Sequence, residues 1–80
     1  MYTPGSIWTI LTSGTDDIDV FIDVHRGLSQ LPMPERTFLT LLAHGQTGRY
    51  ALHESELKGN QTVLKRRILL KLTAIINGES

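Results

Sequence analysis

Ile18-Asp19-Val20-Phe21-Ile22-Asp23-Val24-His25 is the stretch on which the fold turns. On an extended chain, Ile18, Val20, Ile22 and Val24 fall on one face and Asp19, Phe21, Asp23 and His25 on the other. Period two with β-branched residues inward is the pattern of a half-buried strand. Just upstream, Ser6-Ile7-Trp8-Thr9-Ile10-Leu11-Thr12 is also β-branched and aromatic, and Ser13-Gly14 closes it. The two segments predict an antiparallel hairpin over about residues 6–25 with one solvated face. A helix within residues 15–29 stays open, because Thr15-Asp16-Asp17 would set carboxylates against the positive end of a helix dipole. Strand is preferred: a run of β-branched side chains in one register is costly in a helix.

Downstream the pattern changes. Gly27 ends the strand-like element, and Leu31-Pro32-Met33-Pro34 resists helix until Pro34, because each proline restricts the residue before it. Pro34 suits a first helical position, with Glu35 in the first turn. Phe38, Leu41 and Leu42 then follow at the spacing of a buried helical face, up to a stop at His44-Gly45. Arg49-Tyr50-Ala51-Leu52 reads as a short extended piece, and His53 to Glu56 as a brief helix stopped near Gly59. Asn60 is the N-cap of a long final helix that frays at Asn77-Gly78. The expected fold is α+β in a single domain, residues 1–80: an N-terminal hairpin, then three helices over about residues 34–77.

Composition sets bounds on function. The chain has 80 residues, 40% hydrophobic and 20% charged, which is ordinary globular composition. Cysteine is absent, so no disulfide or thiolate metal site supports the core. No apolar run approaches the ~20 residues of a membrane span, and Met1-Tyr2-Thr3-Pro4-Gly5 lacks a basic n-region. A cytoplasmic protein without membrane attachment is expected. His25, His44 and His53 have no metal-ligand spacing, and no phosphate-binding glycine loop or Gly-x-Ser-x-Gly motif occurs. Asp19 and Asp23 share the wet face of the strand with His25, but nothing builds a pocket around them. Neither an enzyme nor a cofactor is expected.

Formal net charge is zero, yet the charges are segregated. Asp16, Asp17, Asp19, Asp23 and Glu35 dominate the first half; Arg49, Lys58, Lys65, Arg66, Arg67 and Lys71 outnumber Glu54, Glu56 and Glu79 in the second. Potential is local, screened within about 10 Å, so the basic end can still address phosphate. On the final helix Leu64, Ile68, Leu72 and Ile75 form one stripe, widened by Leu69 and Ile76. Val63, Leu70 and Ala74 form a second strip nearly opposite, which points to a second packing partner. Its opening turn offers Asn60, Gln61 and Thr62 for hydrogen bonds to base edges or phosphate. Lys65, Arg66, Lys58 and Arg49 stand ready to neutralise phosphates.

Leu31 to Gly45, with its Leu-Pro-Met-Pro entry and Phe38, Leu39, Leu41 and Leu42, resembles the first helix of OmpR-type winged-helix domains. Arg49 to Leu57 is similar to that family's short strand and acidic second helix, and Thr62-Val63-Leu64-Lys65-Arg66 falls where its recognition helix begins. The resemblance implies a recognition helix in the major groove of double-stranded DNA and a winged-helix transcriptional regulator. The expected contacts are Arg49, Lys58, Asn60, Gln61, Thr62, Lys65 and Arg66, in a homodimer joined through Val63, Leu70 and Ala74. The rival reading is a non-enzymatic interaction module, an inhibitor, adaptor or assembly subunit, that grips a protein partner with the same strip and the acidic hairpin.

Overall fold

The alternating stretch is helical. The computed structural model describes residues 1–78, and Glu79, counted above among the acids, lies outside them together with Ser80. Five helices follow one another: α1 Pro4–Ser13, α2 Ile18–Ser29, α3 Met33–Ala43, α4 Gly48–Ser55 and α5 Gln61–Ile76. No strand occurs among the described residues. The α+β expectation is therefore corrected to an all-helical bundle, and the N-terminal hairpin is replaced by α1 and α2.

Local capping and tertiary burial together explain the correction. Thr3 opens α1 with a capping box: its hydroxyl accepts from the Ser6 N–H at 3.1 Å, and Ser6 Oγ accepts from the Thr3 N–H at 3.0 Å. Pro4 follows at the first turn, where its missing N–H costs nothing. The strand-favouring threonines satisfy themselves within the helix, as Thr9 Oγ1 donates to the Gly5 carbonyl (3.0 Å) and Thr12 Oγ1 to that of Trp8 (2.8 Å). Asp17 caps α2, its carboxylate accepting from the N–H groups of Asp19 and Val20. A period-two alternation over eight residues also contains spacings of four. At ~100° per residue, Val20 with Val24 and Ile18 with Ile22 become two opposed helical stripes. Gly27, Leu28 and Leu31 extend the first stripe, and Val24, Gly27, Leu28 and Leu31 are buried. Ile18 and Ile22 are left outside.

Two smaller corrections follow the same logic. α3 begins at Met33, one residue before Pro34, with Pro32 extended ahead of it. Arg49 to Leu52 is not extended: Thr47 caps α4 by accepting from the Tyr50 N–H at 3.1 Å, so the whole segment winds. His44 caps the C-terminus of α3 and Asn77 that of α5, as their positions predict.

One apolar cluster joins all five helices: Ile7 of α1, Val24 and Leu28 of α2, Phe38 and Leu39 of α3, Ala51 of α4, and Ile68, Leu69 and Leu72 of α5. α5 packs against each of the other four, while α4 lies chiefly along α3. At Gly27 the backbone of α2 comes so close to α5 that a Cβ there would meet Ile76 Cγ1 at 2.5 Å and Leu72 Cδ1 at 3.1 Å. The chain ends are clasped together. The Tyr2 N–H donates to Asn77 Oδ1, and Asn77 Nδ2 donates to the Tyr2 carbonyl, each at 2.9 Å. Tyr2 Oη donates to Asp23 Oδ2 at 3.1 Å. Partial burial, reinforced by Asp23, holds this phenol above its usual pKa, so it remains a donor. Among the described residues, no helix is long and apolar enough to cross a membrane.

Two substitutions test this packing. Asp17→Ala removes a helix cap and is expected to cost about 1 kcal/mol in urea denaturation. A hairpin would lose nothing there. Gly27→Val forces a branched side chain into the α2–α5 contact and is expected to cost roughly 1–3 kcal/mol; a neutral result would show that the two helices do not meet at Gly27.

Candidate nucleic-acid interface

α4 and α5 are joined by a short connection, Glu56 to Asn60, whose turn is built by identifiable caps. Ser55 is buried, and its hydroxyl donates to the Ala51 carbonyl at 2.6 Å. Glu56 then takes the left-handed conformation (φ 60°), its N–H donating to the His53 carbonyl and that of Leu57 to the Leu52 carbonyl. This is a Schellman stop, and Leu57 accordingly folds back onto the core. Gly59 (φ 124°) reverses the chain, and Asn60 Oδ1 accepts from the N–H groups of Thr62 (2.9 Å) and Val63 (3.2 Å). Asn60, expected at the DNA, thus also fixes the helix start.

The Gln61 side chain lies over the backbone of Gly48, where a Cβ would displace its amide group and come within 3.2 Å of its Cβ. This contact sets the first residue of α5 against the first residue of α4. The two N-terminal ends, each the positive pole of a helix, therefore meet, so that Arg49, the second residue of α4, stands near the start of α5 although it is distant in sequence. Arg49, Lys58, Thr62, Arg66 and Arg67 are all exposed. Between Arg36 and His53, and again between Leu57 and Gly78, the chain contains no Asp or Glu.

Other expected residues have different surroundings. Lys65 is half-buried, its ammonium 4.0 Å from the centroid of the Trp8 ring. A contact of that kind contributes about 0.5–1 kcal/mol and ties α1 to α5. Of the second strip, Val63 and Leu70 are 52% and 53% exposed, whereas Ala74 is half-buried. Lys71 is held by Glu35 at 2.9 Å, the one ion pair among the described residues. Arg67 was absent from the contact set drawn from the sequence. At helical pitch Arg67 falls on the other side of the Val63–Leu70 line from Arg66, and both are exposed. Beside Arg66 an open groove of ≈ 320 Å³ is lined by Pro4, Thr62, Lys65, Arg66, Leu69 and Leu70.

The acidic residues gather elsewhere. Asp19 and Asp23 share one side of α2, but Asp23 receives the Tyr2 hydroxyl, and the His25 ring lies on Phe21 with centroids 4.2 Å apart. The acid–base trio that a strand would have placed on one face does not assemble. Among the described residues, no three His, Asp or Glu side chains gather as a metal-binding group. In comparisons with protein families, curated proteins and solved structures, the chain matches none.

The stop at Glu56 provides a test of the turn. A left-handed conformation costs a non-glycine residue about 1–2 kcal/mol, and glycine's added flexibility in the unfolded chain offsets part of the relief. Glu56→Gly is therefore expected to raise stability by roughly 0.5–1 kcal/mol in chemical denaturation. A loss of stability would contradict the geometry of the turn.

Proposed function

We propose that this protein binds double-stranded DNA through its α4–α5 helix-turn-helix and acts in the cytoplasm as a small transcriptional regulator. The observation that carries this reading is the meeting of two helix N-termini on an exposed surface bearing Arg49, Lys58, Arg66 and Arg67, with no carboxylate in the first turns of either helix. Positive helix ends favour phosphate, and the arginines add charge-assisted hydrogen bonds to it. In a docked complex the first turns of α5 enter the major groove, as in other helix-turn-helix proteins. Thr62 then hydrogen-bonds a base edge or phosphate, and Val63, central on the outward face, meets a thymine methyl group. Arg66 and Arg67, one on each side of that face, suit the two phosphate walls of a groove about 12 Å wide. No wing takes part in this reading: the second anchor on the backbone is Arg49 at the start of α4.

A protein-binding role remains as the second reading, favoured by the exposure of Val63 and Leu70 on the same helix face. The two readings differ in their dependence on salt. Removing one phosphate contact lowers the slope of log affinity against log salt by ~0.9. Arg66→Ala with Arg67→Ala is expected to weaken binding to random duplex and to flatten that slope by about 2 units between about 50 and 200 mM salt, read by fluorescence anisotropy. Both side chains are exposed, so the thermal melt is expected to stay near that of the parent. Unchanged affinity and slope would take α5 out of the DNA interface.

A further inference from the structure

The alternation that suggested a strand leaves α2 with an outward apolar face. Ile18, Phe21 and Ile22, at helical spacings of three and four, are 70%, 46% and 43% exposed. His25 stacks against Phe21 and holds its ring in place. Asp16 and Asp19 border this patch at its N-terminal end, whereas Asp23 turns toward Tyr2 and Arg26 stands one turn beyond Ile22. α5 carries the reverse arrangement: Val63 and Leu70 exposed, the apolar groove beside them, and Arg66 and Arg67 at the edges. One face is apolar with carboxylates at its N-terminal end, the other apolar with a basic border.

These faces cannot meet within one molecule. α2 packs on α5 through Gly27, against Leu72 and Ile76, so each helix has its inner side in that contact and its patch outside. Only another molecule can bring the patches together. With zero net charge the chain has no overall repulsion to keep copies apart.

We propose that the acid-edged face of α2 docks on the basic outward face of α5 of a second copy of this chain. The contact is head-to-tail and leaves one free face at each end, so it extends into chains or closes into a ring. It covers Arg66 and Arg67, and therefore excludes DNA from the same helix. Self-association stores the protein in a form that duplex DNA dismantles.

Two variants test this in sedimentation equilibrium at low salt. Ile18→Lys with Ile22→Lys disables the α2 face, and Leu70→Glu disables the α5 face; all three positions are exposed, and circular dichroism checks that each variant folds. The parent protein is expected to gain mass steadily from low micromolar to near-millimolar concentration and to pass the dimer. Each variant alone is expected to stay monomeric. Mixed in equal amounts, they are expected to form a dimer and stop there, because each retains the face the other lacks. Asp16→Asn with Asp19→Asn, which leaves the apolar patch intact, is expected to weaken association several-fold. A duplex oligonucleotide is expected to break up the parent assembly, and the α2 variant, free of that competition, is expected to bind the duplex at least as tightly as the parent.

A parent that stays monomeric throughout would overturn the proposal, as would association that survives the α2 variant. A mixture that stays monomeric would also overturn it. A mixed dimer in a protein indifferent to the duplex would uphold the docking while the DNA reading failed.

Discussion

The burial of Ile68 and Leu72 is the constraint on which the rest of the structure depends. Both side chains are fully buried, on a helix that packs against each of the other four. A chain of this length has a thin core, and losing a side chain such as either of these costs about 2–5 kcal/mol. Fixing this inner face fixes the rotation of α5. Val63, Arg66, Arg67 and Leu70 must then face outward, whatever they meet there. Lys65 has its stem over the core and its charge on Trp8, which adds a second, directional restraint from α1. The clasp of Tyr2 and Asn77 secures the far end of the same helix. The proposed interface is therefore a consequence of core packing, since nothing at the surface is needed to orient it.

How much of this could be read in advance differs from element to element. α5 was legible nearly to the residue, because Asn60 is a strong cap and the Leu64, Ile68, Leu72 stripe has the helical period alone. α3 was legible for the same reason, with its start displaced by one residue at the Met33-Pro34 step. The N-terminal third was not. In Ile18 to His25 the strand and helix periods coincide, and β-branched residues tilt a local judgement toward strand. The continuation through Gly27, Leu28 and Leu31 resolves the ambiguity, but a glycine at that point reads locally as the end of the segment. That glycine is a contact point with α5, where a larger residue would not fit. In α1 the capping box of Thr3 and Ser6 was the signal overlooked beneath Ile7, Thr9 and Ile10.

The candidate site was legible as a list of residue types, less so as an arrangement. Lys58, Asn60, Thr62 and Arg66 follow from their place at the start of a basic helix. What joins Arg49 to them is the Gly48–Gln61 contact, and two residues that distant reveal no such pairing to a reader of one sequence. Lys65 is drawn from the outward face of α5 onto Trp8, a tertiary partner from α1. Arg67 was the reverse case, a seam residue whose value shows only once the neighbouring faces are known to be outward. The separation of charge also changed meaning: what looked like an acidic hairpin opposite a basic helix is two helices, each with an apolar face outward.

The central claim is that the joined N-termini of α4 and α5 form the surface that receives a polyanion. Backbone amide mapping by NMR, titrating a short random duplex into labelled protein at low salt, addresses it residue by residue. The account expects the shifted amides to cluster at Gly48 to Tyr50 and Lys58 to Arg67, with α2 unaffected at protein concentrations low enough to keep the chain monomeric. Shifts centred on Ile18 to His25, or none at all, would contradict it.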